Sequence, residues 1–236
     1  MPLSFIKNRT YFSLIFLAFL TLDILVKTTQ DIYIYRFFSK IFLSVLLIIY
    51  YLFNQKEVSI IKKISMVSAL MFFLLGDVFF ILNKIETCFI LGILSFAIGK
   101  LLYTSRFSNQ EDFKLTQLVP ILVFCILVML SILYFISDNL NDYFFISLAY
   151  IFVDMLFIIF TFLRKYSVNK KSFYLVFTGA ILSLFSDNIV ALSSFYSNNI
   201  PYEGIGVMLF YGVSQLLIVL GVVREKNFKC DEILVT

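Results

Sequence analysis

The sequence predicts an all-α polytopic membrane protein with eight transmembrane helices. Three observations carry this. The 236 residues are 61% hydrophobic and 14% charged, whereas soluble domains average about 45–50% apolar and about 25% charged. The apolar residues fall into eight runs, each long enough for the ~20 residues that cross a bilayer. Lysine and arginine collect in alternate joins, the bias that orients membrane proteins.

The runs are 11–27, 33–53, 64–82, 87–105, 118–136, 143–162, 172–192 and 203–223. The first follows a basic start, Lys7 and Arg9, as a signal peptide would. No small-residue cleavage site follows, and Asp23 interrupts where one is expected, so the run is read as a retained span. The second carries Lys40. The third holds Gly76 and Asp77, and the fourth Gly92, Gly99 and Lys100. The fifth is free of charge, and the sixth holds Asp154. The seventh holds Gly179 and Asp187, and the eighth Gln215 with four glycines. The joins, such as 54–57, 137–142 and 193–199, are short and polar. None accommodates a soluble domain, so residues 1–236 are expected to form one membrane-embedded unit.

Of the nineteen basic residues, fourteen fall on one side: Lys7, Arg9, Lys56, Lys62, Lys63, Arg106, Lys114, Arg164, Lys165, Lys170, Lys171, Arg224, Lys226 and Lys229. Lys27, Arg36 and Lys84 fall on the other, and Lys40 and Lys100 within spans. Both termini are therefore expected in the cytoplasm, in agreement with an even number of spans. The richness in Lys, Asn, Ile and Phe suggests an AT-rich bacterium, hence the cytoplasmic (inner) membrane. The net charge of +4 follows from this collar and gives no reason to invoke nucleic acid. Without tryptophan, the interfacial anchors are expected to be tyrosines near span ends: Tyr11, Tyr33, Tyr35, Tyr50, Tyr51, Tyr143, Tyr174 and Tyr202, with Tyr103 either anchor or site.

The chain has no histidine. That excludes HExxH zinc chemistry and triads that use a histidine base. Three cysteines at no motif spacing make a disulfide framework unlikely to be the organising principle. No metal or cofactor is expected.

What remains is six ionisable residues at membrane depth: Asp23, Lys40, Asp77, Lys100, Asp154 and Asp187. Such residues are costly and face a bundle interior. At about 1.5 Å per residue, Asp23, Lys40, Asp77 and Asp187 lie at similar height in the outer half. Lys100, Asp154 and Gln215 lie nearer the middle. Two ammonium groups cannot neutralise four carboxylates, so two aspartates are left to share a proton, the arrangement that general acid catalysis uses. All eight glycines lie in or at the ends of spans three, four, seven and eight, which predicts that these pack as the tight centre. Tyr103 and Tyr211 share helix faces with Lys100 and Gln215.

A weak repeat relates Asp77 to Asp187 at an offset of 110, and Lys100 to Gln215 at 115. It suggests two parallel four-span halves about an axis along the membrane normal. On that reading Lys40 and Asp154 are equivalent and pair across the axis.

The stretches 74–82 (LLGDVFFIL), 96–107 (FAIGKLLYTSRF), 179–192 (GAILSLFSDNIVAL) and 211–219 (YGVSQLLIV) resemble the YhhN-like family of integral membrane proteins. Lys40 matches a lysine of that family's second span. Lys100 stands where members often carry histidine, and Ile41 where they often carry proline. The resemblance implies a lysoplasmalogenase, which cleaves the vinyl ether of a lysophospholipid drawn sideways from the bilayer. Such a reaction needs a neutral acid and a nearby anion. Asp77 and Asp187 are the candidate catalytic pair. Lys40 or Lys100 is the candidate phosphate ligand, and Tyr103, Asp154, Tyr211 and Gln215 complete the candidate substrate site. Two other readings remain open, a proton-coupled transporter and a non-catalytic lipid-binding protein. Pro2, Pro120 and Pro201 all avoid the acidic spans, which disfavours the broken helices of a transporter.

Overall fold

The structure, a computed structural model, describes residues 7–29, 33–82, 84–108, 115–196 and 202–226. Lys114, Lys229 and the side chain of Tyr33 lie outside what it describes. Eight α-helices are present among the described residues. They are α1 (Arg9–Thr29), α2 (Tyr33–Asn54), α3 (Ile60–Ile81), α4 (Glu86–Phe107), α5 (Leu115–Ile136), α6 (Phe144–Leu163), α7 (Lys170–Phe195) and α8 (Glu203–Val223). All eight are long and apolar enough to cross a membrane. Each contains its expected run and extends it by at most four residues at either end, except that Leu82 and Tyr143 fall one residue outside α3 and α6.

In the membrane every backbone polar group must be satisfied within the chain, which is why the apolar runs form unbroken helices. Where the chain leaves a helix, side chains take over. Ser59 caps α3 by accepting from the Lys62 amide, at 3.5 Å. Asn141 takes a left-handed conformation (φ 41°) that joins α5 to α6 through two short 3₁₀ turns, a conformation asparagine tolerates.

The helices close into a ring in the order α1, α2, α3, α4, α6, α7, α8 and back to α1. α5 stands outside the ring against α6 and α7. Accordingly 22% of the α5 span is buried, against 56% of α8.

Glycine produces two tight pairs rather than one tight centre. The most extensive contacts are α7 with α8 and α3 with α4. A Cβ at Gly92 would stand 2.3 Å from the Phe80 ring, and one at Gly179 2.9 Å from the Ser214 carbonyl oxygen. The pairs face each other and are joined by side chains. They occupy corresponding places in the two halves, as do the contacts α2–α3 and α6–α7. The helices α1 and α5 break the correspondence, because α1 packs on α8 whereas α5 is displaced from α4.

The basic ends of the helices lie together. Arg9, Lys171, Arg224 and Lys226 border one concavity. Arg106 binds Glu57 and Glu225, and Arg164 binds Glu225.

The tyrosine belt holds only in part. Tyr11, Tyr35, Tyr174 and Tyr202 are exposed, as anchors should be. Tyr50 and Tyr51 are wholly buried instead. Distance along a span fixes depth but not face, and α2 turns both rings inward, with Tyr50 stacked on Phe12 at 3.9 Å.

Candidate functional site

The intramembrane charges form two clusters. In the first, Lys40 of α2 donates to Asp77 Oδ1 of α3 at 2.8 Å. Ser44, one turn along α2, donates to Asp77 Oδ2 at 3.4 Å, and Tyr211 of α8 to the same oxygen at 3.1 Å. In the second, Lys100 of α4 donates to both Asp154 of α6 and Asp187 of α7. Tyr150 donates to Asp187 Oδ1 at 3.2 Å, and its ring stands 4.8 Å from the Lys100 ammonium. Ser183 donates to Asp187 Oδ2 at 3.3 Å. Asp23 makes no salt bridge among the described residues; it accepts from Ser39 and borders the same small space as Lys40 and Asp77.

The expected Lys40–Asp154 pair is therefore not formed. Displacement of α5 places α6 beside α4, so Asp154 meets Lys100, while α2 lies against α3 and brings Lys40 to Asp77. Asp77 and Asp187 do not share a hydrogen bond either; each has its own lysine.

They do border the same space. A cavity of about 110 Å³ is walled by Asp77, Asp187, Lys40, Tyr150 and Tyr211, with Phe80, Phe89 and Phe96 among its apolar lining. A smaller cavity of about 30 Å³ lies on the other side of Lys40, Asp77 and Tyr211, with Asp23, Ser44 and Gln215 in its wall. Asp77 thus stands between a larger and a smaller space, each mostly apolar with a few polar groups in its wall. The small cavity is roomy enough for water, which needs about 10–15 Å³ and several polar partners. The Gln215 Nε2 group in its wall has no acceptor among the described residues, while its Oε1 accepts from Tyr103 at 2.9 Å.

Among the sequence-predicted residues, Lys40, Asp77, Asp187, Tyr211 and Gln215 border these cavities. Lys100 and Tyr103 border neither. Lys100 is sealed between two carboxylates at 1% exposure, out of reach of a phosphate in either cavity. Tyr103 is wholly buried and holds Gln215 in place. Asp154 borders only a third space of about 20 Å³ between α5, α6 and α7. Sequence reasoning missed Ser44, Tyr150 and Ser183. Each stands four residues from an intramembrane charge on its own helix, and that spacing was the available signal.

At the basic end of the bundle lies a third ion cluster. The Arg106 guanidinium binds Glu57 and reaches Glu225 at 2.8 Å; Arg164 reaches the same carboxylate at 2.7 Å. Burial alone raises the Glu225 carboxyl, but Arg164 and Arg106 outweigh it and hold it below its ordinary value.

Together, the ring of helices and its buried carboxylate–lysine clusters define a polytopic membrane protein built around an intramembrane acidic cavity. A family model places it more closely. The YhhN family model matches residues 35–222, and the chain belongs to that family. No curated protein and no solved structure matches the sequence.

Proposed function

We propose that the protein is a hydrolase that cleaves the vinyl ether bond of lysoplasmalogens by aspartate general acid catalysis. The observation that carries this is the shared cavity: two aspartates from opposite helix pairs face one apolar space at membrane depth. Membership of the YhhN family, associated with lysoplasmalogenase-like membrane proteins, points the same way.

Charge balance divides the roles. Lys40 neutralises Asp77 one to one, which leaves Asp77 as the anion. Lys100 faces two carboxylates, so one proton is retained on the Asp154–Asp187 pair. Asp187 borders the cavity and is the acid. It protonates the vinyl carbon distal to oxygen, and the electron pair of the double bond forms the new C–H bond. The resulting oxocarbenium ion is steadied by Asp77. Water from the smaller cavity, held by Gln215 and Asp77, adds to the cationic carbon and gives its proton to the Asp77 carboxylate. The hemiacetal then breaks its bond to the glycerol oxygen, which takes that proton from Asp77 while the hemiacetal hydroxyl returns one to Asp187, releasing the aldehyde and the glycerophospho-headgroup. Lys40 is the phosphate ligand, since Lys100 is enclosed.

A cavity of 110 Å³ is smaller than the 150 Å³ that holds a benzene molecule. It fits the reacting centre, so the alkenyl chain must lie between helices in the lipid. The basic end is taken as cytoplasmic, which places the reaction in the outer half of the membrane. Over the described residues α3, α4, α7 and α8 run unbroken past the site, which favours hydrolysis over transport.

Aldehyde release from a lysoplasmalogen panel tests the proposal. Asp187→Asn and Asp77→Asn are each expected to lose on the order of a hundredfold or more in rate. A folded Asp187→Asn protein that releases aldehyde at the wild-type rate overturns it.

A further inference from the structure

Four cationic side chains converge where α1 and α7 begin and α8 ends. Arg9, Lys171, Arg224 and Lys226, with Asn169, line a concavity of about 350 Å³. Among the described residues no carboxylate lines it. The adjacent Glu225 is committed to Arg106 and Arg164.

The local backbone adds to this charge. The first amides of a helix lack intrahelical acceptors and carry the positive end of its dipole. An asparagine in the cap position ordinarily accepts from one of them. Asn169 holds that position on α7 but makes no such bond. Its Oδ1 accepts instead from the Lys226 amide at 2.9 Å, and its own N–H donates to the Lys226 carbonyl at 3.3 Å. The first turn carries Lys170 and Lys171 and no acid, the reverse of what the dipole favours. In the same wall the buried Arg224 Nε–H has no acceptor among the described residues. An uncapped helix start, an inverted charge pattern and an unsatisfied guanidinium donor all call for one chemistry: an anion with several acceptor oxygens, as a phosphate has.

The place indicates its source. The concavity lies at the basic ends of membrane-crossing helices, and Tyr174, one turn further along α7, is exposed as an interfacial anchor would be. The anions at that depth are lipid headgroups. We propose that this concavity binds the phosphate of an acidic phospholipid, which ties together α1, α7 and α8. It is distinct from the intramembrane cavity. Lys171 and Ser186, which borders that cavity, are separated by about 22 Å along α7 at the helical rise of about 1.5 Å per residue. The proposal is independent of the hydrolase reading.

The test uses the purified full chain in detergent and reads thermal unfolding and lipid retention by native mass spectrometry. Phosphatidylglycerol, phosphatidylcholine of the same chains and inorganic phosphate are added separately to wild type and to a Lys171→Gln/Lys226→Gln double variant. Both side chains are exposed, so the variant is expected to fold. Phosphatidylglycerol should raise the wild-type midpoint and remain bound, and phosphatidylcholine should do neither. Each cation removed should weaken phosphatidylglycerol binding by about fivefold. An undiminished response in the variant overturns the site. An equal response to phosphatidylcholine overturns the role of charge, and an equal response to inorganic phosphate overturns the lipid as occupant.

Discussion

Two of the protein's three buried ion clusters join more than two charges, and only one of those two is balanced. At the basic end, two guanidiniums (Arg106, Arg164) meet two carboxylates (Glu57, Glu225). In mid-membrane, one ammonium (Lys100) meets two carboxylates (Asp154, Asp187), one of which borders a cavity. The balanced cluster joins the α2–α3 join, the end of α4, the end of α6 and the tail after α8, and it works as a clamp. In the proposed mechanism the unbalanced one supplies the proton to the cavity that Asp187 borders. Similar ion pairs thus serve opposite ends, and the difference lies in stoichiometry and access.

The largest effect should come from balancing the unbalanced cluster. Asp154→Asn leaves Lys100 and Asp187 one to one and removes the retained proton. Aldehyde release is expected to fall by about 10²–10⁴-fold, the contribution of a general acid, while the melting temperature holds or rises. A wild-type rate would place the catalytic proton elsewhere. Next, unbalancing the balanced cluster with Arg106→Met takes from Glu57 its guanidinium partner and leaves Glu225 with one of its two. Denaturant unfolding should show a loss of about 3–5 kcal/mol, with turnover per folded molecule unchanged. Acid should act on the clamp in the same direction. Because Glu225 is held below the ordinary glutamate value of 4.5 in the folded state, its stabilising contribution is full above about pH 4.5. It is lost as pH falls through the folded value. Glu225→Gln should remove that part of the acid sensitivity, as followed by melting temperature against pH. The smallest effect is expected from Tyr211→Phe, which deletes one hydrogen bond to Asp77. A net loss of about 1 kcal/mol corresponds to a several-fold slower rate in the same assay.

The spans were legible because twenty apolar residues in succession have one inexpensive solution in a bilayer. The site's charges were legible for the converse reason: Asp77, Lys100 and Asp187 stand out in apolar runs. Their pairing was not. Chain order suggests a place for α5 in the ring, and only packing shows that α6 takes it, carrying Asp154 to Lys100 instead of Lys40. Tyr50 and Tyr51 were misread because depth says nothing of face. Ser44, Tyr150 and Ser183 escaped notice because hydroxyls are common and cheap in such helices.

The division of the ions between the halves bears on biosynthesis. The first four helices carry both intramembrane lysines, and the last four carry Asp154 and Asp187 without a cation at membrane depth. An aspartate at the centre of a helix costs about 2.5–3.5 kcal/mol on insertion scales. Because synthesis runs from the N-terminus, α4 enters the membrane with Lys100 before α6 and α7 emerge. The counter-ion is already waiting when its two acids arrive. A chain permuted to begin at α5 would have to insert those acids alone.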